Sequence, residues 1–210
     1  MKLKFTLYLL LTLTSHYSYA DIIKFSKIGD IQSIKQLLSS GKTNLEKRAK
    51  NGDTALIIAA RQDNIKLFNV LIDAGADINV RDHNQRDILN IAIRNKNTKL
   101  ARQALARGID ATALTSRYRG SALIFASAQG QVEIVDMIIR AGAPLNRVNI
   151  LGWTALLEAV ILGDGSEPYV QIVKLLVEAG ADTTISDNAE NTPLDHARNQ
   201  GYDDIVRLLQ

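Results

Sequence analysis

Few residues in this chain have the side-chain types that catalysis or metal binding requires. After residue 20 the sequence contains two histidines, His83 and His196, which are far apart in the chain. Asp195 directly precedes His196, but adjacent helical residues do not face each other, so an acid–base dyad is not expected. Asp203 and Asp204 suit the first turn of a helix, where carboxylates interact favourably with the helix dipole.

The other common catalytic and cofactor-binding patterns are also missing from the sequence. It has no cysteine, which excludes thiol catalysis, thiolate zinc sites and iron–sulfur clusters. It has no glycine-rich phosphate loop, no metal-ligand spacing and no nucleophile motif. We therefore expect no catalytic residue, no metal and no cofactor, and the sequence predicts that the protein is not an enzyme.

The elements that position the side chains are repeats of about 33 residues. Each repeat has a recognisable helix start, and the starts lie at Thr54, Asp87, Ser121, Thr154 and Thr192. Side chains of these types can accept a hydrogen bond from a free backbone N–H at a helix N-terminus. A period of this length marks an α-helical solenoid, in which each repeat buries its apolar face against its neighbours.

A second helix is predicted in each repeat from the spacing of its apolar residues. Ile65, Phe68, Leu71 and Ile72 are spaced so that they share one helix face. Equivalent residues follow in two later repeats, at Val132, Val135, Ile138 and Ile139 and at Val170, Val173, Leu176 and Val177. The spacing predicts that these residues lie on one face of each second helix.

Several of these segments resemble an ankyrin repeat in both motif and spacing. The resemblance rests on the run Gly152-Trp153-Thr154-Ala155-Leu156-Leu157-Glu158-Ala159 with residues 172–182 after it, and on residues 51–56 with 71–79. It covers essentially all of residues 21–210. It implies an α-solenoid of antiparallel helix pairs, with loops or β-hairpins that project as fingers before each first helix. It also implies protein binding through the fingertips and the concave surface of the first helices.

The repeat spacing divides the chain into a leader and about six repeats. The predicted boundaries are 1–20 for the leader, 21–50 for an N-terminal cap, 51–83, 84–117, 118–150 and 151–188 for the central repeats, and 189–210 for a C-terminal cap. Terminal repeats face water on one side, so they are expected to depart from the pattern.

The first twenty residues have the pattern of a secretory signal peptide. Lys2 and Lys4 precede the apolar run 5–13, and Ser18-Tyr19-Ala20 places small residues where a signal peptidase reads them. The alternative is an uncleaved membrane anchor, but the apolar run is about half of the ~20 residues that span a bilayer. We therefore expect a periplasmic or secreted protein that has no membrane contact after cleavage.

Charge is distributed unevenly along the chain. Residues 81–119 contain nine Arg and Lys against three Asp, whereas residues 120–210 contain five basic and twelve acidic residues. Nucleic acid is not the expected partner, because Tyr118 is the one aromatic residue in the basic stretch and stacking platforms need several. We expect a monomer that binds a protein partner, with an acidic partner surface facing residues 81–119, or a solvated face there.

The predicted fingers contain residue types that are enriched at protein-binding hot spots. Trp153 has the alternative role of packing against a neighbouring finger, and plain exposure is the alternative for the tip residues. The candidate protein-binding residues are Arg117, Tyr118, Arg119, Ile150, Leu151, Trp153, His83 and Arg86.

The concave surface and one insertion are further candidates. Five extra residues around 163–169 form either a tolerated surface loop or a contact loop that uses Tyr169. The expected concave row is Ile57, Asn90, Ile124, Leu157 and Asp195, with Arg61, Arg94 and Ile161 one turn along.

These observations together predict an exported, non-enzymatic binding protein. The resemblance to small exported bacterial ankyrin proteins suggests an accessory protein for an exported enzyme or an immunity protein that covers a toxin. The alternative is a secreted effector that binds a host protein.

Overall fold

The computed structural model describes residues 21–116 and 118–210. The predicted signal peptide and Arg117 lie outside the described residues. Twelve α-helices occur in the part of the chain that the structure describes, and they form six consecutive pairs. The first helices of the pairs are α1 (Ile22–Ile28), α3 (Ala55–Arg61), α5 (Ile88–Arg94), α7 (Ala122–Ala128), α9 (Ala155–Ile161) and α11 (Pro193–Gln200). The second helices are α2 (Ile31–Ser39), α4 (Ile65–Asp73), α6 (Thr98–Ala106), α8 (Val132–Arg140), α10 (Glu167–Glu178) and α12 (Asp203–Leu209).

The helix pairs belong to two compact bodies. The N-terminal body ends at Asp77, and the C-terminal body comprises Ile78–Gln210. Within the N-terminal body, α1 packs on α3 and α2 packs on α4. Within the C-terminal body the first helices α5, α7, α9 and α11 form one row, and the second helices α6, α8, α10 and α12 form another. Rows of this kind are the packing of an α-solenoid, as the repeat predicted.

Side-chain caps begin the first helices at the predicted positions. In the five repeats from Thr54 onward, the side chain of the capping residue accepts a hydrogen bond from the backbone N–H three residues later. At Thr192 the bond is part of a reciprocal capping box with Asp195. Each cap of this kind is worth about 1 kcal/mol, so the caps fix where every first helix starts.

The two helices of a repeat bury different amounts of side chain. In α9 every residue from Ala155 to Val160 is buried, because this helix lies between α7 and α11 and against its own second helix α10. The second helices bury one stripe of two or three residues, which in α4 is Leu67, Phe68 and Leu71.

The predicted face of the second helices coincides only in part with the buried stripe. Ile65, Ile72, Val132, Ile139, Val170 and Val177 are half-buried. The third helical residue of α4 and α8 is buried instead, as Leu67 and Ile134 show. Six residues belong both to the predicted face and to the buried stripe: Phe68, Leu71, Val135, Ile138, Val173 and Leu176. Helical spacing alone does not show on which side of these residues the buried stripe continues.

The fingers are tight turns in the described residues, and one isolated antiparallel bridge joins Leu114 to Ser121. In the finger of the third repeat, the N–H of Asp82 donates to the carbonyl of Arg86 and the N–H of Gln85 donates to the carbonyl of Asp82. The turns before α3, α5 and α9 each contain a residue with a positive φ at the same position: 81° at Gly52, 63° at Gln85 and 77° at Gly152. Residues other than glycine are strained in this conformation, because their Cβ comes too close to the backbone.

Replacement of Gln85 by glycine is therefore expected to stabilise the protein. The left-handed conformation costs an ordinary residue roughly 1–2 kcal/mol, and part of that gain is lost to the greater freedom of glycine in the unfolded chain. We expect the free energy of unfolding in urea to rise by about 0.5–1 kcal/mol. Asn84→Gly in the same turn, where φ is not positive, is the matched control and should destabilise the protein. A loss of stability in both variants would contradict the prediction.

The insertion in the fifth repeat extends the second helix and packs onto the fourth repeat. Its helix α10 has 12 residues, and Tyr169 lies in its first turn. The Tyr169 hydroxyl donates to the carbonyl of Ala128 at 3.3 Å, and its ring lies against Gly130 and Gly163. Tyr169 therefore joins two repeats, which favours the interpretation of the insertion as a structural loop over a contact loop.

Candidate protein-binding surface

The C-terminal body carries a groove of about 520 Å³ between its fingers and its first helices. Three consecutive repeats contribute to it, because α5, α7 and α9 lie side by side and each is preceded by a finger. The finger residues that line the groove are Asn84, Arg86, Ser116, Tyr118, Gly120 and Asn149. The first helices contribute Asn90, Arg94, Ile124, Phe125, Ala128 and Glu158, and Leu162 lines the groove directly after α9.

Glu158 is the most unusual residue of the groove. Glu158 is 7% exposed, and its Oε1 accepts a hydrogen bond from Asn149 Nδ2 at 2.7 Å. Burial raises the pKa of Glu158 to about 7, and the bond from Asn149 opposes only part of that rise. The carboxyl group is therefore a group that can change charge near neutral pH.

The bond between Asn149 and Glu158 also fixes a finger to its helix. The next repeat has an equivalent contact nine residues apart, in which His196 Nε2 lies 2.8 Å from Asp187 Oδ2. Burial raises the pKa of Asp187, but the hydrogen bonds from His196 and from the backbone N–H groups of Asn191 and Ala189 together outweigh that effect, and the net pKa is lowered. His196 thus has a structural partner in its finger, and Asp195 is occupied by the helix cap.

A second buried polar group faces the groove from α5. Asn90 is 4% exposed, and its Oδ1 has no hydrogen-bond partner among the described residues. Its backbone N–H donates to the cap Asp87 at 2.8 Å. Burial raises the pKa of Asp87 to about 6, although the N–H of Asn90 lowers it in part. The carbonyl oxygen of the Asn90 side chain is thus an unused acceptor that is shielded from solvent.

The rim of the groove carries an apolar patch, here called the tip patch and defined as Tyr118, Ile150 and Leu151. These residues are 68%, 52% and 47% exposed. The N–H of Ile150 donates to the carbonyl of Tyr118 at 3.0 Å, which joins the two adjacent fingers. The patch therefore consists of exposed apolar side chains on backbone that is held by hydrogen bonds.

The other predicted binding residues have separate surroundings. Arg86 is held by Asp82, with Arg86 Nε 2.8 Å from Asp82 Oδ2. His83 and Arg119 are exposed on their fingers, and Trp153 is half-buried at the base of its finger. Arg117 lies outside the described residues. The structure thus brings Tyr118 together with Ile150, and places Arg86 at the groove but in an ion pair.

Three residues of the predicted concave row line the groove, and one, Leu157, does not. Asn90, Ile124 and Arg94 line the groove. Leu157 does not, because it is fully buried, and the neighbouring Glu158 takes its place. A signal for Glu158 was present in the sequence: the residues that follow the other helix starts by four positions are Ile58, Ile91, Phe125 and His196, so a carboxylate there is an exception.

In residues 21–116 and 118–210, no group of three or more His, Cys, Asp or Glu side chains is arranged to hold a metal ion. None of the described helices has the length and apolar character needed to cross a membrane.

Sequence and structure together define the class of this protein. The family model for ankyrin repeats in three copies matches residues 22–115, 89–187 and 123–210. The chain therefore belongs to the ankyrin repeat family, whose repeats form modules for protein–protein interaction.

Individual relatives are similar over nearly their whole length. The ankyrin repeat protein YahD from Escherichia coli (strain K12) is 35% identical over 191 residues, which are 90% of this chain and 94% of YahD. The crystal structure of an ankyrin repeat domain from Acinetobacter baumannii AYE has 44% identity and a TM-score of 0.85, and the match covers 92% of this chain and 96% of that one. A further crystal structure of an ankyrin repeat protein has 32% identity and a TM-score of 0.82, with 90% and 95% covered.

Proposed function

We propose that this chain is an exported, non-enzymatic protein that binds a protein partner through the tip patch and the adjoining groove. The pattern of residues 1–20 supports export to the periplasm or the cell exterior. In that compartment the protein acts as an accessory protein for an exported enzyme or as an immunity protein that covers a toxin. Membership of the ankyrin repeat family supports protein binding as the mode of action.

The observation that carries the proposal is the exposure of the tip patch on joined fingers. Tyr118, Ile150 and Leu151 expose about half or more of their surface, although turn residues are usually polar. Tyrosine is among the residues most enriched at binding hot spots, and its rigid ring loses little conformational freedom on binding. The hydrogen bond from Ile150 to Tyr118 holds the patch in place before a partner arrives.

The proposal is tested by affinity capture from a periplasmic extract with the wild type and the double variant Tyr118→Ala/Leu151→Asp. Truncation of one hot-spot residue costs about 2 kcal/mol, so we expect capture of the partner to fall at least about tenfold. Ile28→Asp is the matched control, because Ile28 is 67% exposed in the N-terminal body and lies outside the patch. Equal capture by the wild type and the double variant would remove the tip patch from the binding surface.

A further inference from the structure

The groove of the C-terminal body contains a buried carboxylate with no cationic partner. Glu158 accepts one hydrogen bond from the neutral amide of Asn149, and it makes no ion pair within residues 21–116 and 118–210. A buried carboxylate is unfavourable unless a cation or several donors compensate it. The side chain is therefore poised to accept a positively charged group from outside the chain.

The opposite side of the groove carries the complementary charge. Arg94 lies at the end of α5 and its side chain is exposed, whereas Arg86 on the same side is already paired with Asp82. Asn90 lies on the same helix as Arg94 and lines the groove, but its Oδ1 is shielded from solvent. The α5 side of the groove thus offers a cation.

Apolar side chains occupy the middle of the groove. Ile124, Phe125 and Ala128 line it from α7, which lies between α5 and α9. Leu162, which is 53% exposed, follows α9 and extends the apolar surface beyond Glu158. From one side to the other, the groove therefore presents a cation, an apolar floor and a carboxylate.

We propose that this groove binds an extended segment of the partner protein that places a lysine or arginine side chain on Glu158, an apolar side chain on Phe125 and an acidic side chain on Arg94. The inference rests on the proposed protein-binding function and specifies its partner. Adjacent packed helices are about 8–10 Å apart, so α5 and α9 are separated by about 16–20 Å. An extended chain spans about 3.3 Å per residue, so the basic and acidic residues are about five to six positions apart.

The test uses a phage-displayed library of random nine-residue peptides, selected on the purified full-length protein. Three forms are compared: the wild type, Glu158→Gln, which keeps an acceptor for Asn149 without the charge, and Arg94→Gln. We expect the wild type to select peptides with Lys or Arg about five to six positions from Asp or Glu. Glu158→Gln should lose the selection for the basic residue and keep the acidic one, and Arg94→Gln should do the reverse.

A double-mutant cycle then tests the contact directly. Replacement of the selected lysine by norleucine should weaken binding to the wild type at least about tenfold and leave binding to Glu158→Gln unchanged. Unfolding curves of all three forms establish that each is folded during selection.

Other outcomes would overturn the inference. If the wild type and Glu158→Gln select the same basic peptides, the cation does not bind Glu158. If peptides are selected without a basic residue, the inference fails, and the proposed function is decided by the capture experiment. If no peptide is enriched above a blank surface, the inference also fails, and the capture experiment with the tip-patch variant decides the proposed function by itself.

Discussion

Glu158→Gln is expected to be more stable than the wild type at pH 8 and of similar stability at pH 5. The ordinary pKa of the glutamate side chain is 4.5, and burial raises it to about 7 in the folded protein. The folded state therefore holds this proton more tightly than the unfolded state does. Stability from the protonated group is fully present below about pH 4.5 and is lost as the pH rises through about 7.

The size of this effect follows from the shift. One pKa unit corresponds to about 1.4 kcal/mol, so the wild type should lose up to about 3 kcal/mol relative to the variant between pH 4.5 and pH 8. Urea unfolding of both proteins at pH 5, 6, 7 and 8 measures the difference. Asp87, whose pKa is raised to about 6, adds a decline of the same sign, but it is present in both proteins and cancels.

A matched control separates burial from the loss of any carboxylate. Glu178 is exposed and forms a side-chain ion pair with Lys174 at 3.8 Å, so Glu178→Gln removes a solvated charge. The stability profile of that variant should run parallel to that of the wild type. Parallel profiles for Glu158→Gln and the wild type would show that Glu158 titrates normally in the fold, and would contradict the prediction.

Such a result would also explain why a destabilising carboxylate is present. A glutamine at position 158 keeps the acceptor for Asn149 and avoids the burial of a charge. At neutral pH the wild type is thus less stable than the Glu158→Gln variant, as expected when a residue serves binding. The pH experiment measures this cost without any partner, so it is independent of the peptide selection.

Gly163→Ala is expected to destabilise the protein by about 1–3 kcal/mol, the range found when an extra methyl group is forced into a packed site. A Cβ at this position would lie 2.2 Å from the carbonyl oxygen of Ala159 and 2.8 Å from Cγ of Tyr169. The carbonyl oxygen of Gly163 also accepts a hydrogen bond from the Tyr202 hydroxyl at 2.9 Å, so the loop is held from a second side. Neither neighbour can move without disturbing a contact between repeats.

Gly120→Ala is the control for this substitution. Neither glycine has a positive φ, and the nearest atom to a Cβ at Gly120 is the side-chain oxygen of Ser116 at 3.1 Å. We expect that control to remain within about 0.5 kcal/mol of the wild type in thermal or urea unfolding. Introducing Tyr169→Leu should not rescue Gly163→Ala, because the clash with the carbonyl of Ala159 remains. Unchanged stability in Gly163→Ala would show that the insertion can rearrange.

The sequence predicts those parts of the fold that depend on local chemistry. Thr54, Ser121 and Thr154 begin helices because a side-chain oxygen and a free N–H are three residues apart, and that relation is written in the sequence. The same holds for Asp87, although it lacks the usual hydroxyl. The pairing of helices follows from the repeat period, because each repeat must cover the apolar face of the next.

The parts that depend on packing between repeats could not be predicted to the same depth. Tyr169 is in a glycine- and serine-rich segment, and its contacts with Gly130 and Ala128 bring together residues about 40 positions apart. The buried stripe of the second helices shifted for a related reason. Leu67 and Ile134 are covered by neighbouring elements whose exact placement helical periodicity does not contain.

The candidate site shows the same division. Tyr118, Ile150 and Leu151 were recognisable because apolar residues in turns are exceptions, and the structure places all three at the surface. Glu158 is an exception among the residues four positions after the helix starts, and the sequence shows this. Its burial and its bond to Asn149 depend on the position of the finger, which the sequence does not show. Leu157, its neighbour, was predicted to face the groove and is instead part of the core.

In two neighbouring repeats a polar contact joins the finger to the fourth residue after the helix start. In one repeat the amide of Asn149 contacts the carboxyl group of Glu158, and in the next the carboxylate of Asp187 contacts the ring of His196. Different side chains thus perform the same anchoring task at the same place. A finger and one helical residue can therefore be exchanged together. Such an exchange changes the surface that a partner meets and leaves the supporting helices unchanged.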